Sequence, residues 1–272
     1  MIRSFIDKLR HKIAYSKLHE PIMRLISQGV GLRIKASKSI QYPTIYVVSP
    51  YKTGTTYLDS LWSDKISRHE PFHFYSLQCL SENFDEKFKK RSNVLKLRLE
   101  CSGFLSLFIT QLPKMENACG LRYVYILRPP SKWVKSVLSH FSLIQNIGFN
   151  YIDSYYWERL LSYSLVEVLK SNDIIEKERL SKDLFDVYFK LLTNALNNDD
   201  VKFVELKNID ELAESLTDHM GYSPNYKNSW RRKSKGVFNV VSVENKEADE
   251  RYESIISEIP EYRMIIKPSV IE

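Results

Sequence analysis

The sequence predicts an α/β fold: a single three-layer domain with a central parallel sheet, a phosphate-binding strand-loop-helix and a helical insertion. Three observations point there. Short β-branched apolar runs alternate with helical patterns, the arrangement that sets a parallel sheet between layers of helices. The first of these runs leads straight into a Gly-Thr turn and a helix. The 272 residues are 43% hydrophobic, 12% aromatic and 27% charged, with only 8 Gly and 10 Pro, which suits one well-packed body and excludes a disordered chain.

Residues 1–40 read as a basic amphipathic helical segment, and residues 41–272 as the α/β domain. Ile2, Phe5, Ile6, Leu9 and Ile13 recur on one helical face beside Arg3, Lys8, Arg10 and Lys12, until Pro21 interrupts the pattern. Such a helix docks on a membrane surface or a partner, or packs on its own domain with a solvated basic face. Residues 44–49 read as a buried strand and 55–66 as the helix after it. Further strands are expected at 72–75, 93–99, 121–127 and 201–206. Residues 131–144 read as a helix introduced by Pro129 and Pro130. Two helical patterns flank the charged stretch 171–183 within 153–197. A helix over 209–220 ends at Gly221, a C-cap glycine, and residues 223–242 read as a loop.

Charge and cysteine usage exclude several classes. The net charge is 40 − 33 = +7, and residues 1–40 alone hold nine Lys/Arg and two acids, leaving 31 of each sign in the rest. A balanced body argues against a general nucleic-acid binder. Cys79, Cys101 and Cys119 show no CxxC spacing and read as free thiols in a reducing compartment. His69 and His73 stand at i, i+4 without an evident third ligand, so no metal is expected. No run of 18 apolar residues and no secretory h-region occur, so the expected location is cytoplasmic.

The strongest motif is Ser49-Pro-Tyr-Lys-Thr-Gly-Thr-Thr56, between a strand and a helix. Gly54 lets the backbone approach an anion closely, the amides of residues 53–56 open a helix, and Lys52, Thr55 and Thr56 add a charge and hydroxyls. The bland alternative is a chance Gly-Thr turn. The nucleotide-kinase pattern GxxxxGK[ST] does not fit, because Lys52 precedes Gly54 by two.

The order Lys52-Thr53-Gly54-Thr55-Thr56 resembles the 5′-phosphosulfate loop of the sulfotransferase family, whose sulfuryl donor is 3′-phosphoadenosine-5′-phosphosulfate (PAPS). The strand RYVYIL ends in Arg128, and Ser136 follows eight residues later, similar to that family's 3′-phosphate site. A guanidinium and a hydroxyl suit a phosphate of nearly two charges. His69-Glu-Pro-Phe-His-Phe-Tyr75 resembles the Glu-Pro-aromatic stretch of carbohydrate and bacterial members, in which the Glu is the catalytic base. Glu100-Cys-Ser-Gly-Phe-Leu105 and Phe203-Val-Glu-Leu206 are similar to later family segments, so the likeness spans about residues 43–240. Departures exist: Tyr51 stands where Pro is usual, Pro129 where Asp or Asn is usual, His69 where Lys is usual, and Cys101 where Lys is usual.

The resemblance implies a PAPS-dependent sulfotransferase acting on a hydroxyl or amine, expected to be that of a saccharide or glycolipid, with no metal. Lys52 would neutralise the leaving oxygen, Thr53, Gly54, Thr55 and Thr56 would hold the 5′-phosphate, and Glu70 would take the acceptor proton. His69 and His73 are alternative bases, or ordinary half-buried histidines. Glu100 orients the acceptor or Lys52, or is a capping carboxylate. One of Arg231, Arg232, Lys233 or Lys235, in the basic run after Trp230, would fold over the 3′-phosphate; the run is otherwise a solvated loop. A cell-surface glycan made at the inner face of a membrane, with peripheral contact through residues 1–20, would suit the basic N-terminus. The rival readings are a nucleotide-dependent small-molecule kinase and a non-catalytic glycan- or membrane-binding protein.

Overall fold

The apolar runs form five short strands: β1 (Ile45–Val47), β2 (Ser67–His69), β3 (Leu99–Cys101), β4 (Tyr123–Leu127) and β5 (Val201–Glu205). The structure, a computed structural model, describes residues 19–36, 43–114, 121–144, 150–228 and 243–265. All strand pairs are parallel, and the order across the sheet is β2-β3-β1-β4-β5. The sheet is covered on both faces, as the apolar strands require. Tyr46, Tyr123, Tyr125 and Phe203 point to one face, under a thick helical layer that includes α5 (Pro130–Ile144) and α7 (Ile174–Leu196). Ile45, Val47, Val124, Ile126 and Val204 point to the other, where α2 (Thr55–Ser60) and α8 (Ile209–Ser215) lie. The α/β three-layer domain follows.

Two strands stand elsewhere than the sequence suggests. Residues 72–75 are not a strand but open α3 (His73–Leu80), with Phe74, Leu77 and Leu80 buried at helical spacing. The real β2 is Ser-Arg-His, three polar residues at the sheet edge, with no apolar run to announce it. Residues 93–95 finish α4 (Phe84–Leu95), Lys96 closes it with φ 49°, and β3 begins only at Leu99. The helix expected over 55–66 stops at Ser60.

The helical insertion also differs from expectation. Residues 150–161 are helical, with a π-helical stretch at Asp153–Trp157. Asp153 accepts from the amides of Leu165 (2.9 Å) and Val166 (3.3 Å) and so caps α6 (Leu165–Lys170). Of the charged stretch, only residues 171–173 separate α6 from α7; Asp173 caps α7 by accepting from Ile175 N at 2.8 Å, and Glu176, Glu178 and Arg179 lie on its exposed side. After β5 and α8 come α9 (Thr217–Met220), closed by Gly221 at φ 72°, and α10 (Lys246–Ser257). The last was not anticipated, although Asn245 and the acidic first turn Glu247, Asp249 are a helix-start signature.

α1 (His19–Ala36) lies on α3 and α4 through the buried Ser27 and Ile34. Pro21 does not break this helix but lies within it. Among the described residues no helix is long and apolar enough to cross a membrane.

The strand order fixes where a ligand can bind. The chain leaves β1 towards β2 on one side of the sheet, and leaves β4 towards β5 on the other. Beyond the carboxyl ends of β1 and β4 the connections diverge, and a crevice opens there.

Candidate active site

Residues 48–54 fill the carboxyl end of β1, and side chains from around the sheet hold that loop by its carbonyls. Ile126 N donates to Ser49 Oγ (2.6 Å), tying the loop to β4. Thr53 Oγ1 donates to Pro50 O (2.8 Å), Trp133 Nε1 donates to Tyr51 O (2.7 Å), and Arg128 Nη1 donates to Lys52 O. Three successive carbonyls are thus turned onto protein donors. Lys52 (φ 71°) and Gly54 (φ 97°) adopt left-handed backbone, the alternation that gathers N–H groups into an anion-binding concavity. A Cβ at Gly54 would also lie 2.6 Å from Leu206 Cδ1, the end of a flexible side chain, so it is the left-handed backbone that asks for glycine where α2 opens. The amides of Thr55 and Thr56 begin that helix and have no intrahelical acceptor.

Arg128 follows β4 directly, so the guanidinium that ends the strand meets the loop that ends its neighbour. Burial lowers its pKa from the ordinary value, but a guanidinium remains charged at neutral pH. Tyr188 donates to Arg128 O at 2.6 Å, and Asp249 of α10 accepts from Ser131 N at 3.1 Å, which braces the start of α5. Ser136 stands half-buried on that helix; among the described residues no hydrogen bond joins it to Arg128. Arg231, Arg232, Lys233 and Lys235 lie outside the described residues, as do residues 1–18.

Glu70 lies against the same loop. It ends β2 with φ 50°, an uncommon backbone for a residue with a Cβ, and Phe72 shares it at 53°. The carboxylate is set between two imidazoles: His69 Nε2 is 3.8 Å from Oε1 and His73 Nε2 is 3.5 Å from Oε2. His69 Nε2 is also 3.2 Å from both Thr55 Oγ1 and Thr56 Oγ1, which links the carboxylate to the start of α2 through one ring. His73 Nε2 is hydrogen-bonded to Tyr51 OH, and Nδ1 lies 3.4 Å from Tyr151 OH. Oε1 accepts from Gly103 N at 2.8 Å. Oε2 is buried and has no hydrogen-bond partner among the described residues. Burial pushes this carboxyl well above the usual carboxylate range; the Gly103 amide pulls it back, the Glu100 charge adds to the rise, and Arg91 opposes it.

Glu100 is held in a buried ion pair. It is 1% exposed and receives a bidentate fork from the fully buried Arg91, Nη1 to Oε2 and Nη2 to Oε1, each at 2.8 Å. Ser102 Oγ donates to Oε1 at 2.6 Å. Arg91 also donates Nε–H to Ser76 Oγ (2.6 Å) and an Nη2–H to Pro71 O (2.7 Å). This closed ion pair welds β3, α4 and the Glu70–Pro71 turn, so Glu100 supports Glu70 from behind.

Comparison with family models, with curated proteins and with solved structures found no match to this chain. The site is therefore read from its own chemistry. It combines an anion-cradling loop, two cationic side chains at its rim, Lys52 and Arg128, and an enclosed carboxyl group with an unmatched oxygen. Such a set can hold a phosphorylated donor and remove a proton from a second reactant. Among the described residues no group of three His, Cys, Asp or Glu side chains is disposed to hold a metal ion.

Sequence reasoning missed Gly103 and Arg91. A Cβ at Gly103 would come within 2.9 Å of Tyr51 N, so only glycine lets its amide reach Glu70 while the loop passes alongside. Arg91 sits in the charged run Glu86-Lys87-Phe88-Lys89-Lys90-Arg91, where nothing marks it as the one buried charged side chain.

Proposed function

We propose that the chain transfers a sulfuryl group from PAPS to a hydroxyl or amine of an acceptor, with a saccharide or glycolipid as the substrate class. The observation that carries the reading is the buried, unmatched Oε2 of Glu70 beside the loop. A carboxyl oxygen withdrawn from water without a hydrogen-bond donor is costly, and a buried unsatisfied acceptor calls for a reason. An acceptor hydroxyl supplies the missing donor, and the raised proton affinity of the group makes it a stronger base near neutrality. The loop fits the donor's 5′-phosphate: its carbonyls at Pro50, Tyr51 and Lys52 are already taken up, leaving the amides that open α2 for an anion. Lys52 would balance charge on the departing oxygen, and Arg128 would read the 3′-phosphate with its remaining N–H groups. His69, joined to Thr55, Thr56 and Glu70, and His73, joined to Tyr51, orient the base; neither is required as the base itself.

The test uses purified full-length protein, radiolabelled PAPS and a panel of glycans and glycolipids, with ATP and Mg²⁺ as the competing donor. Label transfer from PAPS, abolished in a folded Lys52→Ala variant, is the expected result. Transfer of phosphate from ATP with no use of PAPS would replace this reading by the kinase reading. Failure to bind adenosine 3′,5′-bisphosphate would reject both the donor and the role of Arg128.

A further inference from the structure

Among the described residues, the outer side of α1 carries exposed apolar side chains. Ser27 and Ile34 face the body, and Gly31 packs 3.3 Å from Tyr75 on α3 at the position of a virtual Cβ. On the opposite side Leu25 is 68% exposed and Leu32 70%, with Ile26 at 50%. Leu25, Leu32 and Ala36 recur at i, i+7 and i+11, so they form one line along the helix, and Ile22 and Gly29 fall beside it. Arg33 flanks one edge of the line and Lys35 the other, both in the last turn.

The charge pattern selects the occupant. Between Glu20 and Asp59 the chain contains no acidic residue, so neither α1 after its second residue nor the loop before α2 offers a negative group. An apolar line flanked by Arg and Lys, on a helix with no acid after Glu20, is matched by acyl chains under anionic headgroups. A second copy of this face would set like charges against each other. We propose that α1 lies in the plane of an anionic lipid bilayer, with Leu25, Leu32 and Ile26 among the upper acyl chains and Arg33 and Lys35 at the phosphates. The inference stands whether or not the site transfers sulfuryl groups. It places the active site one helix behind the lipid surface, because α1 packs on α3, whose first residue His73 meets Glu70.

The experiment measures partition of the full-length protein onto sonicated vesicles, either pure phosphatidylcholine or a mixture with phosphatidylglycerol. Wild type is expected on the anionic vesicles and not on the neutral ones. Leu25→Gln with Leu32→Gln, both on exposed positions, should keep the melting temperature and weaken vesicle affinity by about tenfold or more. Arg33→Gln with Lys35→Gln should weaken it several-fold and reduce its salt dependence. Three results would overturn the proposal: no wild-type binding to anionic vesicles, unchanged affinity in the Leu variant, or a wild-type dimer in solution that the Leu variant dissociates. The last would assign the face to a second copy of the chain.

Discussion

A carboxyl group enclosed as Glu70 is loses the water that would solvate its charge, and a single amide from Gly103 returns only part of that. The proton is therefore held more tightly than by an ordinary glutamate. Because a base must be unprotonated, turnover at low substrate should fall as pH drops through the raised pKa of Glu70, starting nearer neutrality than for a solvated carboxylate. Glu70→Gln should cut turnover by roughly 10²–10⁴-fold, leave nucleotide affinity almost unchanged and remove that limb of the pH profile. A retained acidic limb in the Gln variant would pass the base role to a histidine. The second prediction concerns Glu100. Glu100→Gln should lower stability by about 3–5 kcal/mol in urea unfolding, because Arg91 stays buried and charged with half its partner gone. Turnover per folded molecule should suffer much less than in Glu70→Gln. A variant of unchanged stability and lost activity would return Glu100 to the chemistry.

At the scale of elements, the loop between β1 and α2 tests whether backbone conformation or space dictates glycine. Gly54→Ala adds a Cβ 2.6 Å from Leu206 Cδ1, but that atom ends a flexible side chain, whereas φ 97° is a fixed demand of the loop. The left-handed backbone should cost about 1–2 kcal/mol and weaken donor binding roughly tenfold or more. Gly54→Ala with Leu206→Ala should recover little of the binding; full recovery would show that crowding, not φ, sets the requirement. The same scale explains what could be read in advance. β1, β4 and β5 were legible because both faces are buried and apolar runs result, and the loop was legible because Lys52, Gly54, Thr55 and Thr56 are consecutive chemistry. β2 was not, since Ser67-Arg68-His69 owes its strand state to pairing with β3 and not to propensity. Glu70 was legible as a candidate by its neighbours in sequence, but its burial, its unmatched oxygen and its dependence on Gly103 and Arg91 come from segments that only the folded sheet brings together.

At the scale of the whole molecule, stability should depend on pH through groups folded into the edge of the sheet near the site. Asp59 of α2 is the clearest: burial raises its pKa from 3.8 to about 6, despite the hydrogen bond from Ser67 Oγ to Oδ1 at 2.6 Å. The sign follows from the proton balance. The folded state holds this proton more tightly than the unfolded chain, so the contribution is fully present below pH about 3.8 and is lost as pH rises through about 6. Above that the folded protein carries a poorly solvated charge. Asp59→Asn keeps an oxygen for Ser67 and removes the charge. It should therefore stabilise the protein at pH 7.5 by on the order of 1–3 kcal/mol and have little effect at pH 4, with the difference opening between those values. Urea unfolding of both proteins at pH 4, 6 and 7.5 measures it. Parallel pH dependences for the two would mean that Asp59 is solvated in the folded state. A gain at neutral pH accompanied by lost activity would mean instead that the buried charge, at the far end of the short helix that Gly54 begins, is retained for what it does to the field at the loop.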